Sequence, residues 1–108
     1  MIARVWSART TRARAPAYAE HLRSHVLPAV KAVEGYAGAM LLERDLPGAQ
    51  PGDGVEIVVV TLWRSLDSIH GFAGDDVETA VVAQEAAALL SDYDQRVRHY
   101  RLALEDRV

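Results

Sequence analysis

Residues 54–74 read GVEIVVVTLWRSLDSIHGFAG, running from a turn glycine through an unbroken apolar stretch into a helical pattern. Val55 to Trp63 is almost entirely β-branched or large and apolar, with Glu56 its one charge. Such a run, bounded by turn residues, predicts a strand buried on both faces. Arg64 and Ser65 end it, and Ser65 is placed to N-cap a helix carrying Leu66, Ile69 and Phe72 on one stripe. A central strand that hands directly to a helix lying back over the sheet sets the frame for the rest of the chain.

Upstream, Ile2–Arg9 reads as a strand with Ile2, Arg4, Trp6 and Ala8 on one face and Ala3, Val5, Ser7 and Arg9 on the other. Thr10–Arg14 is a connection, and Pro16 suits the first turn of a helix, where its missing N–H costs nothing. Tyr18, Leu22, Val26, Ala29, Val30 and Val33 then recur at three and four, an amphipathic helix of about five turns. Pro28 removes the bond to the Ser24 carbonyl, which predicts a kink, or two helical pieces meeting near Leu27. Gly35 is a natural stop. Tyr36–Asp45 is a second strand whose far end, Glu43–Asp45, is charged and so exposed, and Leu46–Asp53 (LPGAQPGD) is an irregular hairpin loop. Beyond the central strand, Asp75 with Glu78 three residues on has capping-box spacing. It predicts a further helix bearing Val77, Ala80, Val81, Ala87 and Ala88, continuous or briefly broken near Gln84. Ser91–Gln95 reads as a turn. Arg96–Leu104 reads as the last strand, with Arg98, Tyr100, Leu102 and Leu104 alternating with Val97, His99, Arg101 and Ala103.

The order βαββαβ predicts an α+β, ferredoxin-like domain over residues 1–104 with a short tail at 105–108: four antiparallel strands with the helices on one face. The opposite face is too apolar for water, so a partner is expected on it. Half of the 108 residues are hydrophobic and 25% charged, which is ordinary globular composition. A net charge of −3 argues against a general nucleic-acid binder. Arg4, Arg9, Arg12 and Arg14 near the start and Arg96, Arg98 and Arg101 near the end form a positive patch if the first and last strands are neighbours. Otherwise they are solvated edges and loops. The absence of cysteine excludes disulfides, thiolate catalysis and cysteine-ligated metals. Met1–Arg14 has no apolar centre like that of a signal peptide, and no apolar run approaches the ~20 residues of a membrane span. The expectation is a cytoplasmic protein with no membrane partner.

MIARVW at the start, TLWRSLDSIHGFAGDD in the middle and VRHYRL near the end resemble the antibiotic biosynthesis monooxygenase superfamily, and with the element order they cover nearly the whole chain. The most specific passage is Trp63, Ser65 and Ile69 after the third strand. The resemblance implies a homodimer whose two sheets close into a barrel, with a pocket in each subunit between sheet and helices. Members include cofactor-independent oxygenases of aromatic polyketides, quinol oxygenases and haem-degrading enzymes. The haem-degrading branch needs an asparagine on the first strand, a tryptophan on the helix after the third, and an iron-ligating histidine ten residues on. An ungapped alignment places these at Trp6 (to within one residue), Phe72 and Val82. Valine cannot ligate iron, so haem degradation is disfavoured.

The oxygenase branch implies no metal or flavin: the substrate phenol or enol is deprotonated and its carbanion reduces oxygen. Such a site needs an aromatic-lined apolar slot and a group that holds an anion. Trp6, Tyr36, Trp63 and Phe72 are candidates for the slot, with Val82 at its edge. Arg4 or Arg101 would hold an oxyanion, and His99 would take a proton. Trp6, Arg4 and His99 are the catalytic candidates. Each has a structural reading: Trp6 as a core aromatic with Arg4 stacked on it, Trp63 as core, and His99 as a satisfied strand histidine. His21 and His25 stand four apart on the first helix, a spacing that permits two metal ligands, but no third is evident. No G-x-G-x-x-G follows a strand and no G-x-S-x-G occurs, so neither a dinucleotide site nor a serine hydrolase has an anchor. The reading is a cofactor-independent monooxygenase, or related small-molecule enzyme, acting on a flat phenolic or quinol-like compound. The alternatives are a non-catalytic dimeric ligand-binding or structural module, and an isomerase or cyclase on the same scaffold.

Overall fold

The computed structural model describes residues 1–47 and 54–108. The hairpin loop expected at Leu46–Asp53 therefore falls mostly outside the described residues. Five strands, β1 (Ile2–Thr11), β2 (Tyr36–Asp45), β3 (Gly54–Trp63), β4 (Asp92–Tyr93) and β5 (Arg98–Arg101), form one antiparallel sheet in the order β2-β3-β1-β4, with β5 also paired to β1. β3 and β1 run side by side from Trp63 against Ile2 to Gly54 against Thr11. The fold is the ferredoxin-like α+β arrangement.

β3 alternates strictly. Val55, Ile57, Val59, Thr61 and Trp63 are buried under the helices, while Val58, Val60 and Leu62 are only half-buried on the other face. The expectation of burial on both faces is thus met on one face within a single chain. Met40 and Leu42 of β2 oppose Val60 and Val58, and Tyr100 opposes Ala3. Met40, Leu42 and Tyr100 are about half exposed (46, 51 and 50%), so the bare face is apolar.

The first helical stretch is α1 (Ala15–His21), a π-helical segment (Leu22–Val26) and α2 (Leu27–Lys31). The pieces meet at Val26–Leu27, where Pro28 enters, as its missing N–H requires. Gly35 (φ +93°) turns the chain into β2, and a Cβ there would lie 2.0 Å from Ser68 Oγ. Only glycine fits. α3 (Leu66–Ala73) is capped as expected, Ser65 Oγ accepting from the Ser68 N–H at 3.2 Å. Ile69 is fully buried beside Trp63 and Val30, but Leu66 is 46% exposed and leaves the predicted stripe. No described helix is long and apolar enough to cross a membrane.

The chain departs from the sequence reading after Gly74. The capping box at Asp75 does not form, residues 75–83 are not helical, and α4 is only Gln84–Ala87. Asp76 takes up the local polar groups instead. Its carboxylate accepts from the Glu78 N–H and the Thr79 hydroxyl and meets Arg96, and these contacts, the Thr79 hydroxyl first, hold it below its ordinary pKa. The carbonyls that a helix would turn inward serve other groups. Those of Val77 and Thr79 accept from Arg4, and that of Glu78 accepts from the Val97 N–H at 2.8 Å. Val77, Thr79, Val81 and Val82 are β-branched, so extended backbone costs them little.

The last strand is also shorter than predicted and divided. Residues expected to form a turn pair with β1 as β4, Ala8 facing Tyr93 and Arg9 facing Asp92. Gln95–Val97 then leaves β1 to meet residues 78–80, and β5 rejoins β1 only over Arg98–Arg101. The division follows from Trp6, whose indole N–H donates to the Asp94 carbonyl at 2.8 Å, and from Arg9, which bridges Asp92 and Asp94.

Candidate active site

A narrow, mainly apolar cleft lies between the sheet and the first helix, with about 70 Å³ of free volume. The sheet contributes Arg4 and Trp6 from β1 and Val59 and Thr61 from β3. The helix contributes Tyr18, His21, Leu22 and Val26, on the stripe that the three-and-four spacing builds. Val30 of α2, Phe72 of α3, residues 81–83, Ala86 of α4 and Val97 complete the lining.

Arg4 is the electrostatic centre. It is 4% exposed, yet among the described residues its polar partners are two carbonyls (Val77 and Thr79, the latter at 2.9 Å) and His99 Nε2 at 3.0 Å, with no carboxylate among them. Its guanidinium carbon lies 5.6 Å from the Phe72 ring centroid, a cation–π distance. Burial lowers its pKa from the ordinary value. A guanidinium has five N–H donors. Three are committed here, leaving the Nε–H and one Nη2–H without a partner among these contacts.

A guanidinium only donates, so His99 Nε2 must accept and the imidazole is the neutral Nδ1–H tautomer. Burial first and the Arg4 charge second push the His99 pKa down, Glu78 opposing them. His99 therefore sits behind Arg4. With Arg101, which is exposed, it borders a shallow surface groove over residues 99–103 and does not line the cleft.

Four nominated residues, Arg4, Trp6, Phe72 and Val82, come together on the cleft. Trp6 offers only its ring, since its N–H is spent on Asp94; its neighbours are Tyr18 at 6.3 Å and Tyr93 at 6.0 Å. Trp63 is fully buried, donates to Thr61 Oγ1 at 2.8 Å and stacks on Phe72 at 5.7 Å; it is core. Tyr36 packs edge-on against Trp63 at 5.6 Å, and it too lies off the cleft.

Three polar residues on the cleft were not nominated as site residues: Thr61, whose hydroxyl accepts from Trp63, Tyr18 and His21. Tyr18 is 4% exposed and burial pushes its phenol up to about 12. His21 Nε2 is buried and meets no hydrogen-bond partner. The signal was present in the sequence, since His21 stands three residues after Tyr18 on the flank of the apolar stripe. Its pairing with His25 (ring centroids 5.3 Å apart) drew the metal reading instead. The described residues hold no group of three or more His, Cys, Asp or Glu that could bind a metal ion.

No family model and no curated protein matches the chain. Solved structures do. The haem-degrading MhuD of Mycobacterium tuberculosis, with two haems in its active site, superposes at TM-score 0.60 and 19% identity, over 99% of this chain and 100% of that one. A provisionally assigned antibiotic biosynthesis monooxygenase from Bacillus cereus does so at TM-score 0.64 and 13% identity, over 99% and 97%. ActVA-Orf6, a monooxygenase of Streptomyces coelicolor in complex with nanaomycin D, does so at 0.61 and 16%, over 99% and 89%. At these identities the likeness speaks for architecture, and the chain has the fold of the antibiotic biosynthesis monooxygenases.

Proposed function

We propose that the chain is a cytoplasmic, cofactor-independent monooxygenase, or a closely related small-molecule enzyme, that binds a flat phenolic or quinol-like compound in the cleft. The observation that carries this reading is Arg4: a buried cation with no carboxylate partner and two uncommitted donors, set in an apolar slot beside Trp6 and Phe72. Burying such a charge is costly unless something answers it. A phenolate or enolate oxygen would do so: holding the anion favours its formation from the neutral compound, and it is the deprotonated form whose carbon is electron-rich enough to reduce oxygen. The monooxygenase neighbours support the reading at the level of fold. Haem is a poor fit, because Val82 offers no ligand where one would be required and the free volume is far below that of a porphyrin site. The bare apolar sheet face supports a homodimer in which a second copy covers Met40, Leu42 and Tyr100.

The test is oxygen uptake by the purified protein, without added metal or flavin, across a panel of phenols and quinols. Turnover that is lost in Trp6→Ala while sedimentation still reports a dimer supports the reading. The free volume favours one alternative, a non-catalytic binding or structural module. About 70 Å³ is well below the roughly 300 Å³ at which small-molecule pockets begin, so an occupant must displace neighbours such as Val81, itself 53% exposed. Phenol binding without oxygen uptake would favour the module, and haemin binding with a histidine-ligated spectrum would reject the oxygenase.

A further inference from the structure

We infer that His21 is the proton acceptor of the cleft, taking the hydroxyl proton of a phenol whose oxygen is held by Arg4. This rests on the reading of the cleft as a phenol site, and it moves the acid–base role from the last strand to the first helix. His99 is the more conspicuous histidine, but its Nε2 already accepts from Arg4 and it does not line the cleft. His21 is the reverse case. It lines the cleft, and its buried Nε2 has no partner. A buried ring nitrogen left unpaired destabilises the fold, and so calls for an explanation that a bound hydroxyl supplies.

The backbone beside it is unusual in a matching way. The π-helical segment begins at Leu22, immediately after His21, and both Leu22 and Val26 line the cleft. Single π turns are rare and are frequent at functional sites. The titratable groups lining the cleft are Arg4, Tyr18 and His21. Tyr18 stays protonated, because burial raises its phenol to about 12. Arg4 can only donate. Among the described residues that line the cleft, His21 is thus the one base.

The step balances simply. The phenol O–H bond breaks, its proton goes to Nε2 of a neutral Nδ1–H imidazole, and the electron pair stays on oxygen opposite the two free Arg4 donors. His25, exposed, packs on His21 with ring centroids 5.3 Å apart.

The test uses 4-nitrophenol, whose anion absorbs visible light, with the full chain labelled with ¹⁵N-histidine, at a pH where the free phenol is neutral. The expected result is nitrophenolate absorbance on binding, together with movement of the His21 ¹⁵N resonances to imidazolium values. His21→Gln should bind the phenol in its neutral form, with the absorbance down by about tenfold or more, one pKa unit. If the bound phenol is ionised but the His21 resonances stay put and His21→Gln retains the absorbance, the assignment of His21 fails while the cleft stands. If nitrophenol does not bind, or binds equally to Arg4→Met, the phenol reading of the cleft fails and His21 falls with it.

Discussion

Two segments of this chain carry a helix-starting signal of similar strength and end differently. Ser65 with Ser68 opens α3, which buries Ile69 against Trp63. Asp75 with Glu78 opens nothing, and the backbone from there to Ala83 stays irregular. Cap chemistry is therefore not what separates them. After Ser65 no other group among the described residues claims the helix carbonyls, and the core rewards Ile69 and Phe72. After Asp75, Arg4 and Val97 take three successive carbonyls, and Asp76 holds Glu78 and Thr79 in a tight turn. A cap is worth about 1 kcal/mol, whereas a buried guanidinium stripped of its acceptors costs more.

That comparison can be broken most forcefully at its two anchors. Ile69→Ala should cost about 4 kcal/mol in urea denaturation, as a fully buried aliphatic truncation does. Arg4→Met should cost about 3 kcal/mol, because it leaves the Val77 and Thr79 carbonyls without their donor. The two variants differ in where the loss is felt. Hydrogen exchange should quicken at Ala80 and Val97 in Arg4→Met and not in Ile69→Ala. Equal exchange in both would mean that Arg4 does not organise the segment.

Smaller changes sharpen it at the caps. Ser65→Ala should lose about 1 kcal/mol, and Asp75→Ala should stay within about 0.5 kcal/mol of the parent, as an exposed residue away from any feature does. A matching loss at Asp75 would show that its cap acts after all. The smallest effect is in pH. His99 is pushed below its ordinary pKa, so the folded chain binds that proton less readily than the unfolded one. Its contribution is complete above about pH 6.5, the unfolded value, and is lost as pH falls through the lower folded value. Urea midpoints followed from neutral to acidic pH should fall less steeply in His99→Gln; an unchanged slope would remove His99 from the account.

The legible parts of the fold were those where local pattern and tertiary demand agree: the Val55–Trp63 strand, the Ser65 cap, the Pro28 interruption and the Gly35 stop. Strand alternation correctly put Arg4 and Trp6 on one face, and the cleft lies on that face. His99 and Arg101 were nominated by residue type, and alternation does put them on that same face. It cannot say how far along β1 the cleft extends. The role of His21 is not legible in the sequence, because a histidine pair at i and i+4 suggests a metal and nothing in the spacing shows which nitrogen is buried.

Periodicity and turn chemistry, which act over a few residues, determined by themselves the first three strands, the helices opened after Pro16 and at Ser65, and the presence of an apolar bare face. The rest awaited tertiary structure. The irregular stretch from Asp75 to Ala83 and the divided last strand both depend on contacts between residues about seventy or more apart in sequence, such as Arg4 with Val77 and Trp6 with Asp94. A local cap or turn preference of about 1 kcal/mol yields to the need of a buried cation or indole N–H for its partner.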